Sequence, residues 1–175
     1  MKYTSILIGA LLLVFARAGL AEDRPPLDVV DGVDLKRYLG KWFEVASYPA
    51  WFQKGCFGST AEYTLLPDGK IQVINSCRKG SADGELKQSK GKAEVVDTKT
   101  NAKLKVWFFW PFKGHYWIID LDPGYQWAVV GEPKRKYLWI LSRTPTMDEA
   151  VYRSILARLP QKGYDPTRLQ RTEMK

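Results

Sequence analysis

Few side chains in this 175-residue sequence are of the types that do covalent chemistry: there is one histidine, His115, and there are two cysteines, Cys56 and Cys77. Two thiols and one imidazole fall short of the four protein ligands of a structural zinc, so no metal and no other cofactor is expected. The sequence has no Gly-x-Ser-x-Gly stretch, which argues against a serine hydrolase built on a nucleophile elbow. His115 falls on the outward side of an alternating run and is read as a surface residue rather than a general base. The other groups suited to acid–base work are Glu44, on the same strand face as Trp42, and the phenols of Tyr63 and Tyr116. Glu44 is read as a structural hydrogen-bond partner, and no enzymatic activity is expected.

What brings these residues together is set by periodicity. From Lys41 onward short runs at 41–48, 58–66, 70–77, 88–97, 102–109, 114–121, 125–131 and 136–143 alternate with turn-forming stretches such as PDG, TKTN, PFKG, DPG and EPKRK. In AEYTLL, Ala61, Tyr63 and Leu65 share one face; in AKLKVWF, Leu104, Val106 and Phe108 oppose Lys103 and Lys105. A period of two with one apolar face is the mark of a half-buried strand. Eight such strands predict a closed antiparallel barrel or a sandwich. Alternation alone leaves open whether the apolar face meets a second sheet or encloses a cavity. The period then changes, because Met147, Val151, Ile155 and Leu159 are spaced as on an amphipathic helix. Thr146 and Glu149 are expected to form its capping box, and Pro160 to stop it. TRLQRTEM is read as a ninth strand.

The first residues carry Lys2, an apolar run from Ile6 to Phe15 and small residues ending in GLA, which reads as a secretory signal peptide at 1–21. The apolar run is shorter than the roughly 20 residues that span a bilayer. Residues 22–34 are expected to form an extended arm, and 35–175 the single domain. Without Lys2 and Arg17, the 27 Lys and Arg become 25 against 19 Asp and Glu, a net charge of +6. These charges are scattered, with only PKRKY dense, so a nucleic-acid partner is not expected. In an exported chain two cysteines suggest one disulfide, with two buried thiols as the alternative.

Three short motifs narrow the fold. Gly40 and Trp42 in YLGKWFEVA, Asp122 and Tyr125 in LDPGY, and Arg143 in YLWILSRTP stand in order and match the three motifs of the lipocalins. The sequence resembles that family over essentially all of the expected mature chain. YLWILSRTPT and LKVWFFWPFKGHYWIIDLD are similar to the bacterial outer-membrane lipoprotein lipocalins and their relatives, including apolipoprotein D and the plant stress-induced lipocalins. The resemblance implies an all-β fold: an eight-stranded antiparallel up-and-down barrel with one C-terminal α-helix packed on it. It implies that Trp42 closes the bottom of the barrel and that Arg143 crosses its ring. By the family's strand parity the lining is Ala61, Tyr63, Val73, Asn75, Val95, Val106, Phe108, Tyr116, Ile118, Tyr137 and Trp139. Such a wall suits a fatty acid, a lysophospholipid or a similar lipid, with a role in envelope lipid storage, transport or maintenance. An enzyme acting on a lipid or carotenoid inside the cup, using Glu44, Tyr63 and Tyr116, is the alternative.

Bacterial relatives are usually lipidated on a cysteine at the cut, and this sequence has none before Cys56. An exported protein of the periplasm or outer-membrane surface, without that anchor, is therefore expected. Relatives of this type suggest a homodimer. The WFFWPF cluster has more aromatics than one inward face uses, placing Trp107 and Phe109 outside and Trp110 and Phe112 at the open end, where they suit a membrane surface or a second subunit. In the barrel topology both cysteines reach the mouth, where a bridge would hold Trp51 and Phe52 as a lid.

Overall fold

The structure, a computed structural model, describes residues 25–173 apart from Trp110. The leader expected at 1–21 and the aromatic at 110 lie outside the described residues. Eight strands follow one another: β1 (Gly40–Ser47), β2 (Cys56–Leu65), β3 (Ile71–Lys79), β4 (Glu85–Val95), β5 (Lys103–Phe109), β6 (Phe112–Leu121), β7 (Trp127–Gly131) and β8 (Leu138–Ser142). Each pairs antiparallel with the next, and β1 pairs with both β8 and β2. The sheet therefore closes on itself, which decides for a barrel over a sandwich and removes the sheet edges that invite aggregation.

The ninth strand is shorter than its sequence run: β9 is Gln170–Arg171, lying against Ala46 and Ser47 of β1. It sits where β1 and β2 part company. Their ladder runs only from Gly40↔Tyr63 to Phe43↔Thr60, and the segment after β9 bridges the gap, with Thr172 N donating to Val45 O and Gly58 N to Glu173 O. A bulge between Glu44 and Ala46 accompanies the change of partner.

A short helix α1 (Leu35–Tyr38) leads into β1, its first amides held by the Asp34 carboxylate. The arm before it is pinned to the closed end by Val30 N to Ile118 O and Val33 N to Thr100 O. Helix α2 (Glu149–Arg158) is capped by Asp148, whose Oδ1 accepts from Ala150 N at 2.8 Å and Val151 N at 3.0 Å. This corrects the expected capping box: Thr146 lies outside the helix and gives its carbonyl to Thr144 Oγ1, while Glu149 meets Arg171 at 2.6 Å. The α-helix ends at Arg158, just ahead of Pro160. The chain continues as a 3-10 turn, Leu159–Lys162, because proline's missing amide costs nothing in a first turn. Gly163 ends it at φ +76°, a conformation that favours glycine.

Two apolar cores result. One fills the lower barrel around Trp42, Tyr63, Val73, Leu104, Ile118 and Leu141; the other lies outside, where Val45, Ile119, Val129 and Ile140 pack under Tyr152, Ile155 and Leu159. Strands β1, β6, β7 and β8 are thus covered on both faces. Tyr164 ties the helical segment to the wall, its hydroxyl accepting from Glu132 N and donating to Glu132 O. Gly131 makes room for it, since a Cβ there would lie 2.2 Å from that hydroxyl oxygen.

Candidate functional site

The floor of the barrel is built from the three motifs. Trp42 is fully buried and donates Nε1–H to Tyr38 O at 2.8 Å. The Arg143 guanidinium lies 3.8 Å from the centre of its ring. The same guanidinium donates to Tyr125 O, Lys41 O and Arg37 O, so one planar fork joins α1, β1, the β6–β7 turn and the end of β8. Partial burial works to lower the Arg143 pKa, yet an arginine so hydrogen-bonded stays charged. Tyr125, at φ +61°, accepts from Asp34 N and lies under the Arg37 guanidinium at 4.1 Å. Asp122 accepts from Gln126 N and fixes that turn. This end is a seal, and its polar groups are all engaged in holding it shut.

Above the seal lies a narrow apolar cavity. Of the residues expected to line the barrel, Tyr63, Val73, Val106, Tyr116 and Ile118 lie on it. Ala61, Phe108 and Trp139 pack against the same core higher up, and Val95 does so level with Leu104. Asn75 is exposed, on the wall near the mouth, and Tyr137 stacks on Trp139 at 5.8 Å between ring centres. Periodicity missed Leu35, Tyr38 and Leu39, which complete the cavity from below. Their signal is local: Asp34 before LKRY is a helix start. Ile71, Ala93 and Leu104 also line it, on faces that the alternation does assign to the interior.

Three phenols meet in this cavity. Tyr116 Oη lies 2.7 Å from Tyr38 Oη and 2.9 Å from Tyr63 Oη. Burial pushes the Tyr63 hydroxyl up to about 12, against the lowering effect of its bond to Tyr116. Tyr38 is raised well above the ordinary tyrosine value by burial and then by Tyr63, and Tyr116 by burial and then by both neighbours. All three are neutral hydroxyls at physiological pH.

Glu44 is 7% exposed and accepts from Ser47 Oγ, Gln53 Nε2 and Thr172 Oγ1 at 2.6–2.9 Å. Gln53 in turn accepts from Trp139 Nε1 at 2.9 Å. The carboxylate therefore anchors the β1–β2 loop and the C-terminal strand to the wall. His115 is exposed, its ring edge against Trp117.

At the open end Cys56 and Cys77 form a disulfide. The loop it holds does not cover the mouth evenly: Phe52 packs on Tyr137 at 5.6 Å, whereas Trp51 is 83% exposed. Phe109 and Phe112, at the tip of the β5–β6 hairpin, are 78% and 79% exposed. Trp107 is half-buried beneath Lys113, whose Nζ lies 4.6 Å from its ring centre.

Comparison with known proteins gives the arrangement its family. The profile of the lipocalin-like domain matches residues 33–174. The chain belongs to the lipocalin family. It is 42% identical over 161 residues to the outer membrane lipoprotein Blc of Escherichia coli, covering 91% of this chain and 90% of that one. It is 40% identical over 159 residues to temperature-induced lipocalin-1 of Arabidopsis thaliana, covering 86% and 84%. Among solved structures, insecticyanin of the tobacco hornworm superimposes with a TM-score of 0.70 at 20% identity, covering 86% of each chain. In this lipocalin the Gly-x-Trp, the acidic turn with its tyrosine and the arginine are one structural unit, and the cavity lies immediately above it.

Proposed function

We propose that the protein binds an elongated apolar ligand, of the fatty acid or lysophospholipid class, with its chain in the barrel and its polar head at the mouth. The observation that carries this reading is the enclosed apolar cavity above the sealed floor. Its lining residues include no ionised side chain, so a charged head is more stable at the wet end. The reading is one of binding rather than catalysis. Glu44 is occupied by three donors, and raised pKa values make Tyr63 and Tyr116 poor bases.

The ligand is collected at a membrane of the compartment to which the protein is exported. Trp51, Phe109 and Phe112 protrude at the open end among the exposed Lys54, Lys87, Lys90, Lys113, Lys134 and Lys136. Apolar rings beside cations suit an anionic lipid surface. A dimer joined through the same aromatics is the competing use of this end, and sedimentation with and without anionic vesicles separates the two.

Native mass spectrometry of protein purified without detergent, followed by solvent extraction, tests the central reading. A bound acyl species, or uptake of an acyl probe by the emptied protein, is the expected result. A barrel that stays empty and takes up no probe overturns it.

A further inference from the structure

The three phenols at the cavity floor carry more donors than their mutual bonds use. Each neutral tyrosine has one hydroxyl proton. The chain Tyr38–Tyr116–Tyr63 contains two hydrogen bonds, and each consumes one proton whichever way it is directed. Three protons against two bonds leave one. Among the described residues no other acceptor is hydrogen-bonded to these hydroxyls, and all three rings line the same cavity. The remaining walls there are Leu, Ile, Val and Ala. A wholly hydrocarbon chain reaching this depth would leave that donor unpaired in an apolar setting, which is costly. A carboxylate or phosphate would be costlier still, since the nearest cation, Arg143, is committed to Trp42 and to three backbone carbonyls.

We infer that the floor is a subsite for an uncharged oxygen: it takes the hydroxyl or carbonyl of a ligand whose deepest-buried end is oxygenated rather than a bare methyl. The preferred ligand is then an apolar molecule with a keto, aldehyde or alcohol group on its leading end, whatever head it keeps at the mouth. This rests on the proposal that the barrel binds apolar ligands, and it names the chemistry that the far end selects.

The test pairs a ten-carbon methyl ketone with its shape-matched alkene, in which =CH2 replaces =O, each displacing a fluorescent acyl probe. The second protein is the triple variant Tyr38→Phe/Tyr63→Phe/Tyr116→Phe. The triple is needed because losing any one hydroxyl still leaves at least one surplus proton. It adds no volume, and removing hydrogen-bond partners together in isosteric form is close to neutral for stability. Comparing the affinity ratio of the two ligands between the proteins cancels their different hydration. The expected result is a ketone preference that falls on the order of tenfold in the variant, with alkene binding unchanged or tighter. In the unsubstituted protein the infrared band of a carbonyl-labelled ketone should move to lower frequency on binding, as for an oxygen accepting a hydrogen bond. An unchanged affinity ratio, or a band at its hydrocarbon-solvent position, overturns the subsite while leaving apolar binding intact. If neither ligand displaces the bound probe, the subsite fails and the reading beneath it stands; if the probe itself does not bind, both fail.

Discussion

The two ends of the barrel are built on opposite principles. At the closed end Trp42 is fully buried, Arg143 caps its ring and bonds three carbonyls, and the N-terminal arm and α1 are stitched across the opening. At the open end three large apolar side chains, Trp51, Phe109 and Phe112, stand in solvent. Interlocked groups at the first end cannot be changed singly without stranding partners. The groups at the second touch little and can be exchanged at small cost to the fold. Interlocking is concentrated at one end and exposed apolar surface at the other.

The largest break in that contrast should come from Trp42→Ala, which opens a cavity in the floor and strands the Arg143 guanidinium. A loss of about 3–5 kcal/mol is expected in urea denaturation, and a loss comparable to a surface change would show that the floor is not the keystone. Removing the Cys56–Cys77 bridge as Cys56→Ser/Cys77→Ser releases a link across a sequence separation of 21. It should cost about 3 kcal/mol in the chain-entropy account. It should also raise the ligand off-rate while circular dichroism keeps its strand signal; an unchanged off-rate removes any gating role from that loop.

Alkaline pH probes the boundary between the seal and the cavity. Tyr63 titrates near 12 in the folded protein against an ordinary value of 10.0, and Tyr38 and Tyr116 are raised too. The folded state holds these protons after the unfolded chain has released them. The associated stability is therefore fully present below pH 10 and is lost as pH climbs through the folded values. The slope approaches about 1.4 kcal/mol per pH unit for each such tyrosine. Denaturation midpoints that are flat up to pH 10 and then fall are expected, with a shallower fall in the triple phenylalanine variant.

A smaller effect belongs to Arg143→Lys, which keeps the charge but loses the planar fork; about 1–2 kcal/mol is expected, measured by thermal unfolding. The smallest change in stability should follow Trp51→Ala/Phe109→Ala/Phe112→Ala, within about 0.5 kcal/mol. Co-sedimentation with anionic vesicles should nonetheless fall severalfold. Retained vesicle binding would move the membrane contact elsewhere.

Much of this was legible in the linear chain because the information is local. A strand half in water must alternate, a turn must carry residues such as Asp-Pro-Gly, and a helix on a barrel must repeat every three or four residues. Those rules located all eight barrel strands and α2, and the resemblance to the lipocalin motifs related Trp42 to Arg143 across about a hundred residues. Strand ends were displaced where pairing overrode composition: β4 begins at Glu85 because β3 continues to Lys79 opposite it. Asp148 rather than Thr146 caps α2 because a choice between neighbouring caps depends on the direction from which the chain enters. Only closure of the sheet could decide that Tyr38, in a four-residue helix with no strand periodicity, meets Tyr116, 78 positions on, and that Tyr116 also meets Tyr63, 53 positions back. Face assignment tells a side chain which way to point, whereas contact across a barrel depends on the register and tilt of every strand between, and no single segment carries that.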